Sequence, residues 1–156
     1  MRVVSNTSPV LNLARVGRLS LLQSLYGEVS IPEAVERELR AYLTSATAEP
    51  SWLIVRPIED LRAAALLRGD LDPGEAEAIV LALEAGAEML LIDERLGRRT
   101  AARLGVRHTG LLGVLVEAKT AGLLEAVAPV LRELTEEAGF WVRRDLRASV
   151  LELVGE

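Results

Sequence analysis

Residues 71–99, LDPGEAEAIVLALEAGAEMLLIDERLGRR, predict a helix, a strand and a second helix in immediate succession. Asp72, Pro73 and Glu75 form the pattern of a helix start, with a capping aspartate, a proline at the first position and a glutamate that reaches back. The helix that follows is apolar around its circumference, so we expect it to be buried. The strand over 89–92 is continuously apolar, which is typical of a parallel sheet covered on both faces.

The rest of the chain repeats this alternation of short apolar strands with helices. The alternation predicts a three-layer α/β/α sandwich with a central parallel sheet, formed by a single domain over 1–156. A small, polar stretch over 44–50 predicts a loop. The predicted strands are 2–6, 28–31, 53–55, 89–92 and 106–109, and the predicted helices are 9–14, 19–25, 33–44, 61–68, 73–84, 94–104, 111–121, 124–138 and 144–154.

The composition limits the class of protein. The chain contains no cysteine, which excludes a disulfide framework, a thiolate zinc site and a cysteine nucleophile. It contains no apolar run of membrane-spanning length and no signal-peptide pattern, so we expect a cytoplasmic protein without membrane contact. Hydrophobic residues make up 50% of the sequence, which indicates a homodimer or a helix supplied by a partner.

The charge of the chain says less about its partners than the composition says about its class. A net charge of −5 argues against a protein coated with positive charge for nucleic acid, although a local site stays open. Seventeen of the 18 basic residues are arginine, the side chain that pairs bidentately with phosphate. GC-rich coding or adaptation to heat produces the same bias, and we favour that explanation.

Two polar side chains stand at the ends of predicted strands. Asn6 ends the first strand, in VVSNTSP at 3–9, and Asp93 ends the strand over 89–92. Because the carboxyl ends of parallel strands share one edge of a sheet, we expect both side chains to face the crevice at that edge.

Glu38 is a third candidate because of its place on a helix. On a helical wheel of 33–43, the core stripe consists of Val35, Leu39 and Tyr42, and Glu38 borders it. The alternative is that Glu38 is one of several solvated acids on this helix.

Glu75 is the fourth candidate, since it opens the buried helix and a carboxylate there needs a partner. Glu77 faces another side of the same helix and is a reserve candidate. Taken singly, Glu75 is explained by a capping box with Asp72, and Asp93 by a cap on the helix after it.

Together these oxygens favour a metal. Carboxylates that converge on one edge repel unless a cation joins them, and oxygen-only ligands select Mg²⁺ or Mn²⁺. The corresponding chemistry is metal-assisted phosphoryl transfer, with a bound water as nucleophile. His108 follows the last strand without an evident partner, so we interpret it as a structural residue.

These residues resemble the PIN-domain superfamily of metal-dependent ribonucleases, and within it a VapC-related subgroup of toxin-like proteins. The similarity covers essentially the whole chain, and the block at 71–99 is its most specific part. The matching motifs are VVSNTSP at 3–9, IPEAVEREL at 31–39, the block at 71–99, GLLGVLVEAKTAGLL at 110–124 and the tail at 139–156.

The resemblance implies a PIN-like sandwich in which four positions hold Mg²⁺ or Mn²⁺ for cleavage of RNA. It also implies a hydroxyl near the metal or phosphate, from Thr7 or Ser8, and a small antitoxin protein as partner. The four matching positions are Asn6, Glu38, Glu75 and Asp93.

Asn6 departs from the superfamily pattern, which more often has aspartate at this position. An amide carbonyl can ligate Mg²⁺, but it carries no charge and cannot act as a base. We therefore expect weak, one-metal or absent nuclease activity.

Basic residues follow Asp93 on the next predicted helix. Arg95, Arg98, Arg99 and Arg103 recur on one side of it, close enough to the crevice to meet a phosphate backbone. The alternative is a solvated face with intrahelical ion pairs.

Three functional hypotheses follow. The first is a ribonuclease, as the toxin of a toxin–antitoxin pair. The second is a catalytically impaired domain that binds nucleic acid or protein without cleavage. The third, a doubly wound domain for a small molecule or phosphate, is disfavoured because no glycine-rich loop follows the first strand.

Overall fold

The structure is a computed structural model that describes residues 1–43 and 49–156. In this part of the chain five parallel strands form one sheet in the order β3-β2-β1-β4-β5. The strands are β1 (Val3–Ser5), β2 (Val29–Ile31), β3 (Leu53–Val55), β4 (Met89–Leu91) and β5 (His108–Thr109).

Helices cover both faces of the sheet, which confirms the predicted α/β/α sandwich. One apolar core lies under α1 to α3 and α7 to α9, and the other under α5 and α6. The described helices are α1 (Thr7–Arg15), α2 (Ser20–Tyr26), α3 (Glu33–Tyr42), α4 (Leu61–Leu67), α5 (Pro73–Ala85), α6 (Arg95–Arg103), α7 (Leu111–Thr120), α8 (Ala128–Ala138) and α9 (Arg144–Leu153). None of these helices is long and apolar enough to cross a membrane.

The order of the strands fixes where a site can form. β2 and β3 lie on one side of β1, and β4 and β5 lie on the other. The strand order therefore reverses between β1 and β4, where Ser5 pairs with Leu91. In open α/β sheets such a switch point leaves a crevice at the carboxyl ends of its two strands. Asn6 and Asp93 are the polar residues just beyond those ends.

Two sequence predictions, for the start of α8 and for the end of α3, are wrong. The helix predicted over 124–138 begins at Ala128, because Pro129 lies in its first turn and would break an intrahelical hydrogen bond further inside. Tyr42, predicted in the core, is 63% exposed, and its ring lies 5.8 Å from the guanidinium carbon of Arg15.

The other predicted bounds agree within one or two residues where the structure describes them. The loop predicted over 44–50 falls mostly on 44–48, outside the described residues, as does the predicted last residue of the helix over 33–44.

Candidate metal site at the switch point

Asn6 lies in the capping position of α1 without acting as a cap. Its backbone N–H donates to the carbonyl of Leu91 over 2.8 Å, which ties the end of β1 to β4. An asparagine at this position usually accepts a hydrogen bond from the first turn, but this side chain makes none. Asn6 is 3% exposed, and its Oδ1 is buried with no hydrogen-bond partner.

The carboxylate of Glu38 joins three elements. Thr7, at the start of α1, donates its hydroxyl to Oε2. The backbone N–H of Gly74, in the first turn of α5, donates to Oε1 over 3.2 Å. The first N–H groups of a helix have no partner inside it, so Glu38 satisfies one of them from α3.

Glu75 lies in the capped first turn of α5 and is a candidate ligand. Its backbone N–H donates to Oδ1 of Asp72 over 2.8 Å, as the helix-start pattern predicts. Its Oε2 is buried without a hydrogen-bond partner. Burial raises the pKa of the Glu75 carboxyl to about 7, and the carboxylate of Asp72 raises it as well.

Asp93 has one satisfied and one unsatisfied oxygen. Oδ1 accepts the backbone N–H of Leu111, at the start of α7, over 2.7 Å, whereas Oδ2 is buried without a partner. Burial raises the pKa of Asp93, and the Leu111 N–H, the guanidinium of Arg98 and the hydroxyl of Ser8 oppose that rise.

These contacts connect the starts of α1, α5 and α6, next to which the four positions lie. Glu38 links the start of α1 to the start of α5, where Glu75 lies against the first turn of α6. Asp93 precedes α6 and lies beside Ser8, back in the first turn of α1. We call Asn6, Glu38, Glu75 and Asp93 the rim site.

A comparison with protein families identifies the fold. A sequence model of a family described as a PIN domain matches residues 2–156, nearly the whole chain. The chain belongs to the PIN-domain family. Among curated proteins no match was found. The match confirms the predicted resemblance at the level of the family. A PIN domain has a nuclease-type fold, and proteins of this family generally use divalent metals.

The side-chain oxygens of the rim site are donors that suit a hard cation. In the described residues three buried side-chain atoms lack a hydrogen-bond partner, and all three are rim-site oxygens: Asn6 Oδ1, Glu75 Oε2 and Asp93 Oδ2. Such atoms are rare in folded proteins and call for a specific explanation. Oxygen donors are those that Mg²⁺ and Mn²⁺ prefer.

The acidic residues alone do not assemble a site. Residues 1–43 and 49–156 contain no group of three His, Cys, Asp or Glu residues that could hold a metal ion. Glu38, Glu75 and Asp93 are three acids, so their carboxylates do not come together into such a group in this structure. Carboxylates repel one another when no cation lies between them.

Glu77, the reserve candidate, has a partner on each oxygen. Oε1 accepts the backbone N–H of Ala34, in the first turn of α3, over 3.2 Å. Oε2 accepts Nη2 of Arg68 over 2.7 Å, and Arg37 lies 4.0 Å away. Glu77 therefore fastens α3 against α5, the two helices that carry Glu38 and Glu75.

Replacing Glu77 by alanine is expected to lower the free energy of unfolding by about 2 kcal/mol, because the N–H of Ala34 and the guanidinium of Arg68 lose their acceptor. Glu77→Gln keeps an acceptor for Ala34 and is expected to cost less. Urea unfolding of both variants in EDTA measures the difference. Equal stability of wild type and Glu77→Ala would refute the fastening role.

The arginines of α6 form an exposed basic face. Arg95, Arg98, Arg99 and Arg103 are exposed, and none makes an ion pair within the described residues. Of the predicted alternative, a solvated face with intrahelical ion pairs, the described residues show the exposed face without the ion pairs.

Sequence reasoning missed two kinds of residue at the rim. Glu94, directly after Asp93, raises the pKa of both Asp93 and Glu75 by its negative charge. Gly97 and Gly110 lie against the carboxylates of Glu75 and Asp93, where a Cβ would come within 2.6 and 2.7 Å of an oxygen. The adjacency of Glu94 to Asp93 was visible in the sequence, whereas the approach of the glycines was not.

Proposed function

We propose that this PIN domain is a metal-dependent ribonuclease that hydrolyses RNA phosphodiester bonds, with the rim site holding Mg²⁺ or Mn²⁺. One observation carries the proposal: the unpartnered buried oxygens of the described chain belong to Asn6, Glu75 and Asp93, three of the four positions that the sequence selects. Leaving buried acceptors unsatisfied is costly, and a bound cation removes that cost.

The side chains divide the work between them. The Leu111 N–H holds Oδ1 of Asp93 and leaves Oδ2 for a metal, and Oε2 of Glu75 is free in the same way. Thr7 holds Glu38 from the other side of the crevice. When bound, a divalent ion supplies an activated water and charge stabilisation for phosphoryl transfer.

Substrate contacts extend from the rim along α6. Arg98 lies close enough to Asp93 to lower its pKa, so a phosphate held at the rim would meet this guanidinium. Arg95 and Arg99 lie on the same helix and are exposed for the neighbouring phosphates. The hydroxyl of Ser8 faces Asp93 from α1 and is a further donor for metal-bound water or phosphate.

Asn6 favours a second candidate function. With an amide at this position the rim site has three carboxylates instead of four, which weakens metal binding and disfavours a second metal ion. A domain that binds RNA or a partner protein without cleaving it retains the fold and the basic face of α6.

The cellular role extends this proposal. On the resemblance of its motifs to the VapC-related subgroup, we propose that the protein is the toxin of a toxin–antitoxin pair, acting in the cytoplasm as a homodimer and restrained by a small antitoxin protein. A neighbouring reading frame for a small, partly disordered protein would support this role.

Cleavage of a structured RNA in millimolar Mn²⁺ tests the enzymatic proposal. Asp93→Asn and Glu75→Gln are each expected to lower the cleavage rate at least about a hundredfold, because each removes a charged metal ligand. Asp60→Asn is the matched control, since Asp60 also begins a helix, α4, and lies outside the rim site. Wild-type protein that neither cleaves RNA nor changes its melting temperature in Mn²⁺ would refute this function and leave the binding module.

A further inference from the structure

At two glycines, the space that a side chain would fill is occupied by the carboxylates of the rim-site glutamates. A Cβ on Gly74 would lie 2.5 and 2.7 Å from the two carboxylate oxygens of Glu38, and a Cβ on Gly97 would lie 2.6 Å from Oε2 of Glu75. Real Cβ contacts essentially never fall below 3.0 Å. An alanine at either position therefore displaces a carboxylate or shifts a helix.

Backbone conformation does not explain these glycines. Gly74 lies in the first turn of α5 and Gly97 in that of α6, and neither has the positive φ that favours glycine. Glycine is also a poorer helix former than alanine, so both helices would gain from a side chain here. At Gly74 the close approach of Glu38 remains as the reason for glycine, and at Gly97 the approach of Ile92 adds to that of Glu75.

We propose that Gly74 and Gly97 are positioning residues, which admit the carboxylates of Glu38 and Glu75 to the rim. The two cases differ in their surroundings. The three nearest atoms to the Gly74 Cβ position all belong to Glu38, whereas Gly97 also approaches Cδ1 of Ile92 at 2.6 Å. Gly74 therefore offers the cleaner test, and Gly97 is tested with Ile92→Val, which removes Cδ1.

The positioning role rests on the proposed function only in what the carboxylates are for, which is metal binding. Its decisive test is therefore made without metal. In EDTA, Gly74→Ala is expected to lower the melting temperature by about 5 °C in the wild-type background. In the Glu38→Asp background, where the carboxylate is one methylene shorter, the same change is expected to cost less than half as much. Gly69→Ala is the matched control, since its Cβ meets only the Leu66 carbonyl, at 3.4 Å.

An equal loss from Gly74→Ala in both backgrounds would overturn the inference, because a merely structural glycine gains nothing from a shorter Glu38. For Gly97 the comparison is made in the Ile92→Val background. An equal loss from Gly97→Ala with and without Glu75→Asp would overturn the inference for this glycine.

Mn²⁺ titration separates this inference from the proposed function. Gly74→Ala is expected to weaken Mn²⁺ binding at least tenfold, measured by calorimetry, and Gly74→Ala with Glu38→Asp to recover part of that loss. If wild type binds no Mn²⁺ but the metal-free rescue occurs, the proposed function fails and the positioning role stands. If wild type binds Mn²⁺ and the glycine variants bind it equally, the positioning role fails.

Discussion

The substitution Asn6→Asp is expected to raise the affinity of the protein for Mn²⁺ by about tenfold or more, because ligand charge is a main determinant of affinity for hard cations. The same substitution is expected to lower the melting temperature in EDTA. The two effects have opposite signs because the same added charge is stabilised by a cation in one case and left unpaired in the other.

The environment of Asn6 makes the loss of stability in EDTA large. The side chain is 3% exposed, and its Oδ1 has no hydrogen-bond donor. A carboxylate at this place would be desolvated without compensation and would face the acids at the end of β4. Cleavage of RNA in Mn²⁺ should rise together with affinity, if the charge at position 6 limits activity.

Asn12→Asp is the control for this experiment. Asn12 is another buried asparagine, 8% exposed and inside α1, but its amide donates to the Ser8 hydroxyl and it is not part of the rim site. We expect Asn12→Asp to lower stability with or without Mn²⁺. If Asn6→Asp leaves both Mn²⁺ affinity and cleavage unchanged, position 6 does not limit this site.

Much of the candidate site could be predicted because its residues stand at the ends of secondary-structure elements. Asn6 and Asp93 each end an apolar run, and Asp72 and Pro73 mark the start of the helix that carries Glu75. In a parallel sheet such ends meet at one edge, so local patterns already imply proximity. Glu38 followed from the same reasoning, since Val35 and Leu39 mark the buried stripe of α3.

Features that depend on packing between elements could not be predicted. The alternation of strands and helices does not specify that β1 lies between β2 and β4. The ion pair of Glu77 with Arg68 joins two helices, and the contact of Gly74 with Glu38 joins residues 36 positions apart. A helical wheel placed Tyr42 on the core stripe, but at the last turn of α3 the core no longer lies beneath that stripe.

In EDTA, the free energy of unfolding is expected to fall as the pH rises from about 4.5 to above 7, through the titration of Glu75. The folded state raises the pKa of this carboxyl from 4.5 to about 7, chiefly by burial, so in this range the folded state holds a proton that the unfolded state releases. Stability is therefore full below pH 4.5 and is lost as the pH passes through 7. The raised pKa of Asp93 acts in the same direction.

Other carboxylates act outside this range. The pKa of Glu156 is lowered to about 2 by the ammonium of Lys119 and by the backbone N–H groups of Val127 and Ala128. Its contribution to stability is thus fully present above pH 4.5 and is lost only as the pH falls towards 2. A decline of stability between pH 5 and 7 therefore reports on acids whose pKa is raised.

Mn²⁺ is expected to reverse the sign of this pH dependence. A cation binds the deprotonated carboxylates, so its stabilising effect grows as the pH rises. Urea unfolding at several pH values, in EDTA and in Mn²⁺, measures both slopes. Glu75→Gln should flatten the EDTA slope and raise stability at pH 8 above that of wild type, because it replaces a buried charge by an amide that can still accept a hydrogen bond. A slope in EDTA that persists unchanged in Glu75→Gln would show that Glu75 is ionised at little cost, and the unpartnered oxygen would then need no cation.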